Sequence, residues 1–202
     1  MYFKTLLLTV VFVLLGAGLR PLVDPVFLRG SGGYIRRVYE ENSKPYRVSG
    51  HYSNIQYCNS KVSILAAHER VIIGNLVPIA VDENLDIMVT PVLDEMAETV
   101  AKGFHDVASK APEVGDKVYI SYFLQGVPIV NTGTILWYDS NEVVIEAVGF
   151  FGASGSPIYN IYGEYIGSLS KMLVTKDGTA GFLVYGTNYD VTIKILKEKV
   201  CK

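Results

Sequence analysis

One short stretch carries the strongest chemical signal in this chain: Phe151-Gly152-Ala153-Ser154-Gly155-Ser156-Pro157. A serine between two glycines, entered from an apolar run and left through a proline, suits a tight turn that presents a hydroxyl. Gly152 has no side chain to clash, so its backbone is free to turn an N–H outward. The N–H groups of Gly152 and Ser154 can then face the oxyanion of a tetrahedral intermediate. By itself the string also fits an ordinary glycine turn.

A hydroxyl nucleophile needs a base, and the histidines are His51, His68 and His105. His68 closes the run Ser63-Ile64-Leu65-Ala66-Ala67-His68, whose two alanines allow close packing behind an imidazole that faces a cleft. A carboxylate is then needed on the other ring nitrogen. Asp86 stands in Asn84-Leu85-Asp86-Ile87-Met88-Val89, an acid set in a β-run. Such an acid costs on the order of several kcal/mol unless it is hydrogen-bonded or paired, and His68 is a suitable partner. His51 reads as a surface residue. His105 beside Asp106 reads as a solvated or satisfied pair on a helix, and Glu69-Arg70 as an exposed pair on a turn.

The elements that must position these residues are short. Apolar runs alternate with turn signals from Tyr46 onward: Lys61 to Ala66, Val71 to Ile73, Val77 to Val81 and Leu85 to Thr90, then Lys117 to Phe123, Gly133 to Tyr138, Glu142 to Val148, Tyr165 to Leu169 and Gly181 to Tyr185. Many short strands at this spacing indicate a mainly all-β sandwich or barrel. Between them, Val92, Met96, Val100, Phe104 and Val107 fall on one face and predict a helix over 92–110. A second helix is predicted at the C-terminus, where Val191, Ile193, Ile195 and Leu196 precede Lys197, Lys199 and Lys202. Residues 20–45, with Gly30, Gly32, Gly33 and the charged run Arg36 to Lys44, read as an irregular lead-in. Pro112 and Gly115 mark a join near 110–115.

At the N-terminus Lys4 is followed by an uncharged, largely apolar run, Thr5 to Leu19, ending in Gly16-Ala17-Gly18. Residues 1–19 therefore read as a signal peptide or a signal anchor, with membrane association through residues 5–19. Cys58 and Cys201 belong to no CxxC pair, so no metal or redox motif and no cofactor is expected. They either form one disulfide closing a long loop or stand as two thiols.

Half of the 202 residues are hydrophobic and 19% are charged, which excludes a disordered or coiled-coil chain. Eighteen Lys and Arg against 20 Asp and Glu give a net charge of −2 with no basic block, so no nucleic-acid partner is expected.

Taken in order, Ala66-Ala67-His68, Leu85-Asp86-Ile87-Met88-Val89 and Gly152-Ala153-Ser154-Gly155-Ser156-Pro157 resemble the trypsin/chymotrypsin-like serine proteases, in particular the compact HtrA-type and viral trypsin-like peptidases. Val114-Gly115-Asp116-Lys117-Val118 resembles the entry to that family's second barrel. Tyr162 to Gly167 resembles the hairpin before its substrate-binding edge, and Ala180 to Val184 its closing strand. The resemblance implies two six-stranded-type β-barrels with an inter-barrel helix and a C-terminal helix, over 46–202. The first barrel would span about 46–110 and the second about 111–202.

It implies Ser154 as nucleophile, His68 as general base and then acid, and Asp86 as the residue that holds the imidazole. The backbone N–H groups of Gly152 and Ser154 would form the oxyanion hole. Ser170 falls where the family places a serine beside the aspartate, and the strand from Ser170 to Met172 would pair with the substrate backbone. Val148 would floor the side-chain pocket and Gly181 would line its wall, favouring a small or medium apolar residue. Two departures stand out. The short interval from His68 to Asp86 implies a lost hairpin and leaves Asp82 and Asp94 as rival third members. Ala153 stands where many digestive members carry the acid that binds a newly cut N-terminus.

The function expected is a serine endopeptidase acting on a peptide or protein substrate, secreted or membrane-anchored with its protease domain outside the cytoplasm. The alternative is an inactive trypsin-like barrel that serves as a binding module.

Overall fold

The computed structural model describes residues 32–93, 103–150, 152–174 and 181–201. The expected signal segment 1–19, the start of the lead-in, and the helical positions Met96 and Val100 lie outside the described residues. So does the rival acid Asp94.

The first half is a six-stranded sheet: β1 (Gly32–Glu41), β2 (Lys44–Tyr57), β3 (Ser60–Leu65), β4 (Ala80–Asp82), β5 (Ile87–Thr90) and β6 (His105–Asp106). Its order is β1-β2-β3-β5-β4, with β6 paired to β2. Among the described residues this sheet does not close, so the expectation of two barrels is met by the second half alone. Two hairpin turns carry positive φ at both central residues, Asn42-Ser43 and Cys58-Asn59, the twist that suits tightly joined antiparallel strands.

The lead-in expected to be irregular is instead strand from Gly32 onward. Charges such as Arg36, Arg37, Glu40 and Glu41 obscure the alternation in the sequence, but among the described residues β1 pairs with β2 alone, and charge on an edge strand blunts further pairing. Its anchor is Ile35, fully buried with Tyr52, Leu65, Ile72 and Met88.

The second half closes fully. β7 (Lys117–Leu124), β8 (Val127–Tyr138), β9 (Glu142–Gly149), β10 (Pro157–Asn160), β11 (Tyr165–Val174) and β12 (Gly181–Thr187) form a barrel of order β10-β11-β12-β9-β8-β7. Alternation in β9 puts Val143, Ile145 and Ala147 inside, and they meet Val118, Ile120, Ile135, Ile158 and Val184.

The described parts of the expected inter-barrel helix are not helical. Val92 and Leu93 are irregular, with Leu93 N–H donating to Ser63 Oγ at 3.2 Å. Phe104 and Val107 are separated by β6, which pairs in parallel with Ile55 and Gln56 of β2. An open strand edge offering unpaired backbone groups outweighs a helical spacing of side chains. Val107 then bridges to Tyr165, and Ala108 N–H donates to Tyr165 O at 3.0 Å, which stitches the link to the barrel.

The C-terminal helix forms as Tyr189–Lys199, capped by Asn188, whose side chain accepts from Val191 N–H at 3.0 Å. Beyond it Cys201 is disulfide-bonded to Cys58 in the β2–β3 turn. The bond ties the end of the chain to the first half and closes a loop worth about 5 kcal/mol in the chain-entropy account.

Candidate active site

Two fused turns present Ser154. Ala153 N–H donates to Phe150 O at 3.2 Å and Ser156 N–H to Ala153 O at 3.1 Å. Gly152 (φ +88°) and Gly155 (φ +81°) occupy the third position of each, in the left-handed region that favours glycine. Gly155 is also required sterically, because a Cβ there would lie 2.2 Å from the His51 carbonyl oxygen. Gly155 N–H donates to Leu169 O at 2.7 Å, pinning the turn to β11. Among the described hydrogen bonds the N–H groups of Gly152 and Ser154 are not engaged. Ala153 is buried in the barrel core, where a charged side chain would be costly.

His68 stands on a 3₁₀ turn, Ala67–Glu69, directly after β3. Its Nδ1 lies 2.9 Å from Asp86 Oδ1, and its Nε2 lies 3.2 Å from Ser154 Oγ. Asp86 does not sit inside a strand as expected. It occupies the turn before β5 at φ +53°, a left-handed conformation that Asp tolerates better than most residues. Its Oδ1 also accepts from His68 N–H at 3.4 Å, and its Oδ2 accepts from Ser170 Oγ at 2.8 Å. Asp82 is occupied elsewhere, accepting from Asn84 and Leu85 N–H at 3.0 and 3.1 Å.

Electrostatics follow from these contacts. The hydrogen bond to Asp86, with a second contact to Glu69, raises the His68 pKa to about 10. Burial pushes the Asp86 carboxyl up, but hydrogen bonds from His68 and Ser170 outweigh it, and the net shift is downward.

Of the other predicted residues, Ser170 touches this line, through Asp86 and Ser154. β10 pairs with β11 up to Pro157 opposite Ser168. Beyond it, among the described pairings, Ser170 to Met172 use only the edge facing β12. Ser154 Oγ lies 3.5 Å from Ser170 O on that open side. Val148 O accepts from Asn131 Nδ2 at 2.7 Å, and Gly181 pairs with the next residue, Gly149. A Cβ at Gly149 would meet Met172 Sδ at 3.0 Å, so Met172 and Gly181 both border the end of β9. A cleft of 610 Å³ between 108–118 and 160–166 has none of the three residues His68, Asp86 and Ser154 in its lining.

Three side chains differ from expectation. His51 is not on the surface but 2% exposed. Its ring stacks on Phe123 at 6.3 Å, its Nε2 accepts from Phe123 N–H at 2.8 Å, and its backbone N–H donates to Ser154 O at 3.2 Å. Burial lowers its pKa to about 4. His105 is on β6 rather than a helix, with Nδ1 2.7 Å from Gly163 O and its ring against Tyr159. Glu69 is not an exposed partner of Arg70. It is buried, with Oε1 3.1 Å from His68 Nε2, while Arg70 pairs with Glu83 at 3.2 Å. An acid next to Arg in a polar stretch gives no sequence sign of burial; Gly50 opposite it is the sole hint.

No protein-family model matches the chain, and no curated protein matches its sequence. Solved structures do match its shape. It is similar to the HtrA-type protease AlgW with a decapeptide, at a TM-score of 0.62 and 11% identity over 88% of this chain and 68% of that one. The serine endoprotease from Yersinia pestis gives 0.61 and 15% over 88% and 67%. The Rv3671c protease of M. tuberculosis in its active form gives 0.62 and 15% over 86% and 82%. With a closed six-stranded barrel, a second sheet and a C-terminal helix, the chain has the trypsin-like serine protease fold.

Proposed function

We propose that the chain is a serine endopeptidase working through Ser154, His68 and Asp86. The observation that carries the reading is the continuous contact from Asp86 through both nitrogens of His68 to Ser154, at 2.9 and 3.2 Å. With His68 neutral, Nε2 takes the Ser154 proton as Oγ attacks a peptide carbonyl. The N–H groups of Gly152 and Ser154 receive the oxyanion. The resulting imidazolium, held by Asp86, protonates the leaving amine, and water then releases the acyl group by the same route.

The substrate backbone would lie along the open edge of Ser170 to Met172 as an added strand. Its side chain would point toward Val148, Met172 and Gly181, where an apolar group of small or medium size fits. The decapeptide held by AlgW concerns that protein, but a peptide on the same fold supports a peptide substrate here. A disulfide between Cys58 and Cys201 supports an exported or membrane-anchored setting, since such bonds persist in oxidising compartments.

The test is hydrolysis of a fluorogenic peptide set varied at the residue before the cleaved bond, using the full chain beside Ser154→Ala. Cleavage after small apolar residues that vanishes in the variant is expected. Equal cleavage by the variant would overturn the assignment of Ser154. A folded chain with no turnover at any pH would favour the binding-module reading.

A further inference from the structure

Glu69 directly follows His68 and is 5% exposed. Its Oε1 lies 3.1 Å from His68 Nε2, the same nitrogen that Ser154 Oγ approaches at 3.2 Å. That nitrogen carries either a proton or a lone pair, never both. To act as base toward Ser154 it must offer the lone pair, and a carboxylate facing it favours the proton instead. With Asp86 on Nδ1 at 2.9 Å, both ring nitrogens face carboxylate oxygen, the surroundings of an imidazolium.

The site is shaped to hold this carboxylate. A Cβ at Gly50 on β2 would lie 2.8 Å from Glu69 Cδ and 2.9 Å from Oε2, so the missing side chain makes room for it. A buried carboxylate needs a compensating cation. Arg70 is turned away to Glu83, and His68 stands beside Glu69.

We propose, resting on the reading of His68 as general base, that Glu69 is a positioning residue that competes with Ser154 for His68 Nε2 and keeps the resting triad latent. Among the described residues the groups facing His68 are Glu69 from its own turn, Asp86 from the turn before β5, and Ser154 from the fused turns; Ser170 of β11 acts through Asp86. When the Glu69 contact opens, the Nε2 proton passes to solvent and the lone pair turns to the Ser154 hydroxyl. Acylation at neutral pH therefore requires Glu69 to leave Nε2. The raised pKa of His68, to about 10, agrees with this arrangement.

The experiment compares the full chain with Glu69→Gln, which keeps the shape and removes the charge, and with the shorter Glu69→Ser in case the amide impairs folding. The His68 titration is followed by NMR of the imidazole, and the fluorophosphonate labelling rate is followed against pH. The expected result is a His68 midpoint lower by at least about one pH unit in the variant. Labelling near neutral pH should then rise about tenfold, its pH limb moving with the midpoint. An unchanged midpoint, or a midpoint that falls without any move of the labelling limb, would overturn the proposal. Should neither chain label at any pH, the acyl-transfer reading falls, and the midpoint alone decides whether Glu69 holds the imidazole.

Discussion

In the second half of the molecule, β7 to β12 close on themselves, and Ser154 rides on two fused turns whose N–H groups bond to Phe150, Ala153 and Leu169. In the first half the sheet stays open among the described residues, and His68, Glu69 and Asp86 stand on turns beyond its strands. Ser154, the proposed nucleophile, is thus fixed by backbone, whereas the proposed acid–base groups orient one another through side chains. Backbone geometry is indifferent to pH, but a trio of ionisable side chains is not. Changes at His68, Glu69 or Asp86 should therefore alter protonation as well as rate, whereas changes to the glycines of the Ser154 turns should alter the placement of the hydroxyl.

The largest expected effect tests the point where the halves meet. His68→Ala should lower peptide hydrolysis at least about 10⁴-fold and keep the circular dichroism of the folded chain, with a lowered melting midpoint because buried Glu69 loses the cation beside it. Asp86→Asn should cost a similar factor, because the amide favours the wrong tautomer. Retained turnover in either would separate the two halves functionally.

The next effect concerns how the halves are tied. Replacing Cys58 and Cys201 by serine should lower unfolding stability by about 2–5 kcal/mol in a urea titration, with the rate in native buffer little changed. A large rate loss without a stability loss would mean that the bond positions the site rather than the fold.

His51 and His68 give opposite pH dependences. His51, with a folded pKa lowered to about 4 from 6.5, binds protons more readily when unfolded. Its contribution is present above about pH 6.5 and is lost as pH falls toward 4, up to about 3 kcal/mol, and His51→Gln should flatten that acid limb. His68, with a folded pKa raised to about 10, contributes stability that is complete below 6.5 and fades as pH rises through 10. Its exposed side chain, 54%, makes that second effect the weaker one. Denaturant midpoints measured against pH would show both.

The smallest effect sharpens the comparison at one bond. Ser170→Ala removes the hydroxyl that donates to Asp86 from β11, and kcat/KM should fall about tenfold. No change would mean that Asp86 is held by His68 alone.

The barrel was legible where burial alternates cleanly, as in β9, and where glycine fell at turns, as around Ser154. The contact among Ser154, His68 and Asp86 could be anticipated from sequence because each lies in a distinctive local string. β1 was not legible, since an edge strand tolerates charge on both faces and so loses its period. The helix expected through Phe104 and Val107 failed because pairing with β2 at Ile55 and Gln56 is a long-range contact that side-chain spacing does not encode. The apolar neighbours of Asp86 predict a strand there, although its own φ is that of a turn. Burial of Glu69 and His51 depends on what β2 and the Ser154 turns bring against them, which no neighbouring residue in sequence reveals.

The most direct test of the central claim, that His68 of the open sheet activates Ser154 of the closed barrel, is fluorophosphonate labelling of the folded full chain with intact-mass readout. It should be run near pH 10, where His68 gives up its proton. One adduct on the parent, with none on Ser154→Ala and a strongly slowed reaction on His68→Ala, is the predicted result. A folded parent that takes no adduct, or a His68→Ala variant that labels as fast as the parent, would contradict it.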